Sequence, residues 1–465
     1  MSIAHVSGGT LVGVNAVGVD VEVTLLDRLP ATVIVGVSAA SARESADRVR
    51  SAILGAGMEY PRKRVVVALT PADLRKEGVG LDLPIAIGVL AAAGKIPVEM
   101  LHRYLFVGEL SLAGDLRPVR GALAYAELAR RMEKILVLPY KNMAEAELAG
   151  GELPLGATCL SDVVNHLRGG APRCERPAPL TTSPHPALDM RDVVGQLHAR
   201  RALEVAAAGG HRLLLTGPPG CGKAMLAARL PGILPAMTGE EVREVVRISS
   251  VAGLRAPDGH LPNSRPYRAP HHSISLAGLI GGATLRPGEI SLAHNGALFL
   301  DELDQFAKAA LEGVQYSLAT GGYTVTRDGQ TVSFPAKCAL VAAMNPCPCG
   351  FRGHPKRACV CSAELLATWD RRVAASPLRP TFDLEVSLQP ASAGEFLIPN
   401  PVPECSAVIR ERVTAARERQ MQRQGCLNAR TDFPKVERVA WTLADLEGVA
   451  VTQHHRDAAA VFMGG

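Results

Sequence analysis

Aromatic residues are scarce in this 465-residue chain: Phe, Trp and Tyr make up 4% of it, with two tryptophans in all. The core must therefore be built from Ala, Val, Leu and Ile. Long hydrophobic runs are lacking too. The longest strongly apolar stretch, Leu83–Gly94, is closed by Lys95, whereas a membrane span needs about 18 or more such residues. No membrane partner is expected. The opening Met1-Ser2-Ile3-Ala4-His5 has neither a basic region nor an apolar signal core, so a cytoplasmic protein is expected. Charge of one sign is missing as well, since 50 Lys and Arg face 45 Asp and Glu, a net +5. That surplus permits a nucleic-acid partner without arguing for one. What is present is ample apolar material, 47% of the chain, which excludes disorder as the dominant state. Ten cysteines are expected to stay reduced in such a compartment. Four of them crowd into Cys347–Cys361.

The length suggests about two to four domains. The clearest break lies between Gly169 and Asp189, where Pro172, Pro177, Pro179, Pro184 and Pro186 accumulate. Proline fixes φ and removes a donor, so this stretch reads as an extended linker. Before it, alternating strands and helices predict an α/β sandwich. Val33–Val37 and Arg64–Thr70 read as strands, as do Tyr104–Val107 and Ile135–Leu138. Ser38 is placed to cap a helix carrying Val49 and Ile53, and Leu83–Ala93 reads as a buried helix. After the linker, Leu213–Thr216, Ala297–Leu300 and Ala339–Ala343 are short buried strands with helical segments between them. That pattern predicts a parallel sheet of nucleotide-binding type.

Gly217-Pro218-Pro219-Gly220-Cys221-Gly222-Lys223 follows a predicted strand and opens a predicted helix. This is the context of a phosphate-binding loop. The glycines let backbone N–H groups point at phosphate oxygens, and Lys223 adds a charge for the β- and γ-phosphates of ATP. The next position calls for a Ser or Thr hydroxyl on Mg²⁺. Here it is Ala224, whose methyl cannot coordinate a metal. Ala297–Leu300 then presents Asp301 and Glu302. Asp301 is placed to hold Mg²⁺, and Glu302 to orient and deprotonate an attacking water. Asn345, just past a third strand, fits a polar sensor between the γ-phosphate and that water.

With their surroundings these residues resemble the magnesium-chelatase-like AAA+ ATPases, and most closely their ComM (YifB) competence-protein subfamily. Asp192-Val193-Val194-Gly195-Gln196, Arg265-Pro266-Tyr267-Arg268-Ala269-Pro270-His271-His272 and Pro287–His294 carry the likeness. So does Ala343-Met344-Asn345-Pro346-Cys347-Pro348-Cys349-Gly350. The resemblance implies an N-terminal domain, residues 1–168, related in fold to the Lon protease domain. It further implies a linker at 169–188, an AAA+ domain at 189–390 and a small helical C-terminal domain, or lid, at 391–465. It implies an ATP-dependent ring, usually a hexamer, that moves along single-stranded or branched DNA and drives branch migration in natural transformation. A magnesium-chelatase motor subunit is the alternative within the family. Proteolysis is not expected. A Lon-type site needs a serine and a lysine base, and the matching stretches read Gly78-Val79-Gly80-Leu81-Asp82 and Arg120-Gly121-Ala122-Leu123-Ala124.

The departures point toward weak hydrolysis. A family motif of Pro-Leu-Leu-Asp-Arg type, bearing an arginine finger or its neighbour, becomes Ser376-Pro377-Leu378-Arg379-Pro380-Thr381-Phe382-Asp383. Arg371 and Arg372 are the remaining substitutes. The chain passes from Asn428-Ala429-Arg430 almost directly to Val439-Ala440-Trp441, which shortens the lid and omits its sensor arginine. Arg430 and Arg438 match that sensor poorly. A non-hydrolysing relative is therefore a second alternative.

Cys347, Cys349, Cys359 and Cys361 form two C-x-C pairs that four-coordinate Zn²⁺ would accept, with His354 as a substitute ligand. The other reading is a set of reduced cysteines in a basic loop. His271 and His272 are read as structural or DNA-contacting, because adjacent side chains diverge on most backbones. The arginines of Val408–Arg423, with Glu411 and Glu418 among them, are read as a solvated, ion-paired helix face.

Overall fold

The computed structural model describes residues 3–72, 74, 76, 80–170, 180–181, 188–254, 260–262, 264–282, 285–327, 330–390, 403–424 and 433–463. The chain divides into two compact units. One comprises Met1–Thr182 with Val246–Leu261 and Thr324–Ser333, the other Ser183–Val245, Pro262–Tyr323 and Phe334–Gly465. Most of the proline-rich linker and the start of the expected C-terminal domain lie outside the described residues.

The first unit is built on β1 (Ile3–Val12), β2 (Asn15–Leu26), β3 (Ala31–Val35), β4 (Arg64–Thr70), β5 (Tyr104–Phe106), β6 (Glu109–Leu110), β7 (Leu116–Arg117), β8 (Ile135–Pro139) and β9 (Leu155–Ala157). Seven of these strands form one sheet in the order β3-β4-β2-β1-β5-β8-β9, and β6 pairs with β7. Inward-facing residues alternate along β2, where Val19, Val21 and Val23 are buried, as the period of a half-buried strand requires. Ser38 caps the helix Ala39–Gly55 by accepting from the Ser41 N–H. That bond satisfies one of the free amides of the first turn. The apolar run read from the sequence is the helix Asp82–Ala92, all of it buried. Two hydrophobic clusters, one around this helix and one around Ala122–Arg131, make a layered α/β unit.

The second unit contains β10 (Leu213–Thr216), β11 (Tyr267–Arg268), β12 (Ala297–Leu300), β15 (Ala339–Met344) and β16 (Leu384–Ser387). They form a five-stranded parallel sheet in the order β11-β12-β15-β10-β16. β13 (Gly322–Arg327) and β14 (Gln330–Pro335) pair separately. Successive side chains serve opposite faces. Leu213, Leu215, Ala297, Phe299, Val341 and Ala343 share one core with the helix Leu197–Gly209. Leu214, Leu298, Leu300, Leu340 and Ala342 meet Ile290, Phe306 and Leu311. The helices Ser406–Gln424, Lys435–Glu447 and Gln453–Val461 contribute Ile409, Val413, Val439, Leu443 and Ala459 to the first of these cores. Among the described residues no helix is long and apolar enough to cross a membrane.

Candidate functional site

Three buried leucines hold β10 in the centre of the sheet, bonded to β15 on one side and β16 on the other. Pro218 and Pro219 end the strand, since neither can donate to a ladder. Gly220 and Gly222 then turn the chain at φ values of +78° and +98°, a region that disfavours residues with a Cβ. The helix Lys223–Ala227 starts directly afterwards. Lys223 Nζ donates to the carbonyl oxygens of Gly217 at 2.6 Å and Pro218 at 3.1 Å, and to Asn345 Oδ1 at 3.2 Å. All three acceptors are neutral, so a phosphate oxygen is a stronger partner for this ammonium. Cys221 is buried, and burial pushes its thiol above the ordinary range. Ala224 is exposed at the start of the helix.

Parallel register brings the other residues to the same end of the sheet. Thr216 pairs with Met344, so Asn345 leaves β15 beside the glycine loop. Leu300 pairs with Ala342, so Asp301 and Glu302 emerge one strand further along. Asp301 is exposed, and its Oδ1 accepts the Glu302 N–H at 2.9 Å. Glu302 has a left-handed backbone, φ +53°, which is uncommon for a residue with a side chain. Its Oε2 lies 2.9 Å from His272 Nδ1. Sequence reasoning missed this pair because the partners are thirty positions apart in different loops.

The expectation that His271 and His272 diverge is corrected. Their ring centroids are 4.1 Å apart. The physical reason is local: His271 Nδ1 lies 2.8 Å from Ser273 Oγ and accepts the Ser273 N–H at 3.3 Å, which folds its ring back over its neighbour.

The loop after Asn345 gathers the clustered cysteines. The Sγ atoms of Cys347, Cys349, Cys359 and Cys361 all lie within 4.8 Å of one another. The separations 347–349, 347–359 and 349–359 are 3.4, 3.6 and 3.5 Å. The one-residue gaps thus close onto a common centre. Thiolates held about 2.3 Å from a tetrahedral ion stand roughly 3.8 Å apart, so the donor set and its spacing fit zinc. Backbone N–H groups of Phe351 and Val360 pull the Cys349 thiol down to about 6. His354 is not part of the cluster; its Nδ1 accepts the N–H groups of Lys356 and Arg357, both at 3.0 Å. The cysteine loop leans on the glycine loop: a Cβ added to Gly350 would come within 2.6 Å of Pro219 Cδ.

None of the arginines weighed as finger or sensor reaches these groups among the described residues. Arg379 Nη2 pairs with Glu385 at 2.6 Å. Arg371 turns back onto its own helix, donating to Ala367 O and Thr368 Oγ1, each at 3.3 Å. Arg372 lines a cleft of about 420 Å³ with Asp304, Ser376 and Arg379. Arg438 pairs with Asp383, and Arg430 lies outside the described residues.

The arginine-rich helix Ser406–Gln424 also differs from expectation. Among the described residues its ion pairs run to Glu204, Glu404 and Asp445 and not to Glu411 or Glu418. Arg412 holds Glu204 at 2.7 Å and Glu404 at 2.7 Å, and Arg423 holds Asp445 at 2.6 Å. Arg417 and Arg419 donate to the carbonyl oxygens of Ala207 and Asp445. Long guanidinium stems bridge neighbouring helices more readily than they lie along one face.

In the first unit, Asp82 stands in the stretch matched to the protease serine. It is buried and bonded to Arg48 at 2.9 Å and Ser45 at 2.8 Å. Gly78 and Val79 lie outside the described residues, and Arg120 is exposed.

A parallel α/β sheet with a glycine loop, a lysine at a helix start and an acidic pair at the end of a strand separated from the loop's strand by one other defines an AAA+-like protein. Residues 189–396 match a family model described as "Magnesium chelatase, subunit ChlI", and residues 21–142 match "Subunit ChlI of Mg-chelatase". YifB of Escherichia coli is 42% identical over 443 residues, covering 94% of this chain and 86% of that relative. The competence protein ComM of Haemophilus influenzae is 40% identical over 445 residues, with the same coverage of 94% and 86%. YifB of Salmonella typhimurium is 40% identical over 441 residues, again covering 94% and 86%. The chain belongs to the magnesium-chelatase-like ComM/YifB family.

Proposed function

We propose that this chain is an ATP-binding AAA+ protein that joins a homo-oligomeric ring, a hexamer by family, and acts on single-stranded or branched DNA in the cytoplasm. The observation that carries the reading is the link from Lys223 to Asn345 at the end of the adjacent parallel strand, with Asp301 and Glu302 one strand beyond. The name of the relative ComM supports a place in competence. In this reading residues 1–168 are a non-proteolytic Lon-like scaffold and 169–188 a linker. Residues 189–390 are the motor domain and 391–465 a shortened lid.

The residues present fit ATP and Mg²⁺ in part. Gly217, Pro218, Pro219, Gly220, Cys221, Gly222 and Lys223 cradle the phosphates. Asp301 holds Mg²⁺, which when bound neutralises phosphate charge, but Ala224 supplies no second oxygen. Glu302 orients water, and His272 keeps that carboxylate turned aside until the pair opens. Asn345 senses the γ-phosphate by exchanging Lys223 for it. Cys347, Cys349, Cys359 and Cys361 hold Zn²⁺ and stiffen the loop that rests on Pro219.

A second reading, a nucleotide-binding member that does not turn over, is favoured by Ala224 and by the pairing of Arg379 with Glu385. An arginine finger contributes about 10³–10⁵ in rate, so its loss outweighs a missing hydroxyl. DNA binding separates both readings from a chelatase motor. Salt-sensitive binding to branched or single-stranded DNA, with larger assemblies when ATP is added, supports the proposal. A strictly monomeric protein indifferent to DNA at low salt would overturn it.

A further inference from the structure

A second cavity, of about 680 Å³, lies at the amino-terminal ends of the same sheet. Its walls include Arg212 ahead of β10, Asn295 ahead of β12, Lys337 ahead of β15 and Asp383 ahead of β16. Arg417, Lys435 and Arg438 of the C-terminal helices contribute to its lining, as do Glu241 and Arg265. It is separate from the glycine loop. A strand of four residues spans about 13 Å at ~3.3 Å per residue, and the loop leaves β10 at the other end. Ligands of open parallel sheets ordinarily sit at the carboxyl ends, so nothing in the nucleotide reading uses this cavity.

Its charges do not balance. Six cations face two carboxylates. Arg265 is paired with Glu241 at 2.9 Å, and Arg438 with Asp383. Arg212, Lys337, Arg417 and Lys435 have no carboxylate partner among the described residues. Arg417 and Lys435 donate to the carbonyl oxygens of Ala207, at 2.6 Å, and Phe382, at 2.5 Å, which do not neutralise them. The Arg212 guanidinium has no hydrogen-bond partner among the described residues, although its backbone N–H bonds Asp383. Burial lowers Arg212 below the usual arginine range, and burial together with the nearby Arg265 brings Arg417 down to about 10. Arg212 and Arg417 are partly withdrawn from water, and the carboxylates that act on them, Asp383 and Glu241, are shared with Arg438 and Arg265. Partly desolvated cations that share a counter-charge favour an anion brought among them.

A single carboxylate would offset one charge of the surplus four. A polyphosphate offers several charges at once, and its oxygens match the planar forks of Arg212 and Arg417. The volume falls within the range of small-molecule sites, about 300–1,000 Å³. We propose that this cavity binds a polyphosphate group at a site distinct from the glycine loop.

The probe is inorganic tripolyphosphate, titrated calorimetrically into the full chain carrying Lys223→Ala, so that the glycine loop does not report. Binding should be retained in that background and weakened about tenfold or more by adding Arg212→Gln or Arg417→Gln, the scale of a lost charge-assisted bond. Without ligand, Arg212→Gln alone should melt at the same temperature or higher, because the burial cost of its charge outweighs the attraction of Asp383 and no side-chain hydrogen bond is lost. Displacement of the probe by a single-stranded oligonucleotide would assign the phosphates to a nucleic-acid backbone. Failure to displace would assign them to a free polyphosphate, and either result upholds the site. Absence of binding in the Lys223→Ala chain would overturn the proposal. So would equal binding by the arginine variants, or a lowered ligand-free melting temperature for Arg212→Gln.

Discussion

The two ends of the five-stranded sheet hold their charges differently. At the carboxyl ends, Lys223 rests on two carbonyls and the Asn345 amide, and Glu302 rests on His272. These partners are weak or exchangeable, and each involves a side chain the chemistry needs. At the amino ends, Asp383 is locked by Arg438 and the Arg212 N–H, with His211 Nδ1 3.8 Å away, while four other cations lack an ion pair of their own among the described residues. One end is built to trade partners during a cycle. The other couples a fixed pair to a standing surplus of positive charge.

Breaking the fixed pair should have the largest effect. Burial opposes ionisation of Asp383, but the nearby His211 ring, the Arg438 charge and the Arg212 N–H outweigh it and hold its pKa low. A carboxyl with a depressed folded-state pKa stabilises the fold above its unfolded value of about 3.9, and that contribution fades as the pH falls through the folded value. Asp383→Asn should therefore cost about 3 kcal/mol at neutral pH, measured by denaturant unfolding. The cost should shrink below about pH 4. An equal cost at both pH values would contradict the pairing.

The exchangeable end is tested by Lys223→Ala, which should weaken ATP binding about 10²-fold through lost charge-assisted bonds, read by calorimetry. Arg212→Gln at the opposite end should leave ATP affinity at the glycine loop unchanged. Similar losses from both would mean that the two ends are not independent. Zinc content is the next measure. Reduced, chelator-washed protein should retain about one zinc per chain, and Cys347→Ser should abolish it and lower the melting temperature. Metal-free protein of unchanged thermal stability would remove zinc from the account. The smallest effect is expected from Ala224→Thr. A restored hydroxyl should tighten magnesium-nucleotide binding by up to about tenfold without restoring turnover.

Contiguous signals were the legible ones. The sequence Leu213–Lys223 specifies strand, turn and helix in eleven adjacent residues, and Ser38 announces its helix by standing directly before it. β10, β12 and β4 lie where their apolar runs predict, and β15 is one residue longer. The hairpin β1–β2 was missed although Val17, Val19, Val21 and Val23 alternate along its second strand. Gly8 and Gly9 look like breakers, yet a Cβ on Gly8 would meet Leu81 and Pro84 at 3.0 Å, so the glycine serves close packing on a strand. β3 starts two residues earlier than its apolar run suggests, because it pairs in register from Ala31 with Arg64. The partners of Glu302 and the cationic cavity were illegible for another reason. Their members come from separate segments that only parallel register and helix packing bring together.

The central claim is that the phosphate-binding end survives while the means of stabilising the transferring phosphate does not. Steady-state ATP hydrolysis by the unmodified chain, with and without single-stranded or branched DNA, tests it most directly when run beside nucleotide binding on the same preparation. The account predicts measurable binding with turnover far below about 1 s⁻¹, the low end of ordinary enzyme rates, whether or not DNA is present. DNA-stimulated hydrolysis at about 1 s⁻¹ or faster would contradict it, and would show that Ala224, the altered 376–383 stretch and the short lid leave a working motor.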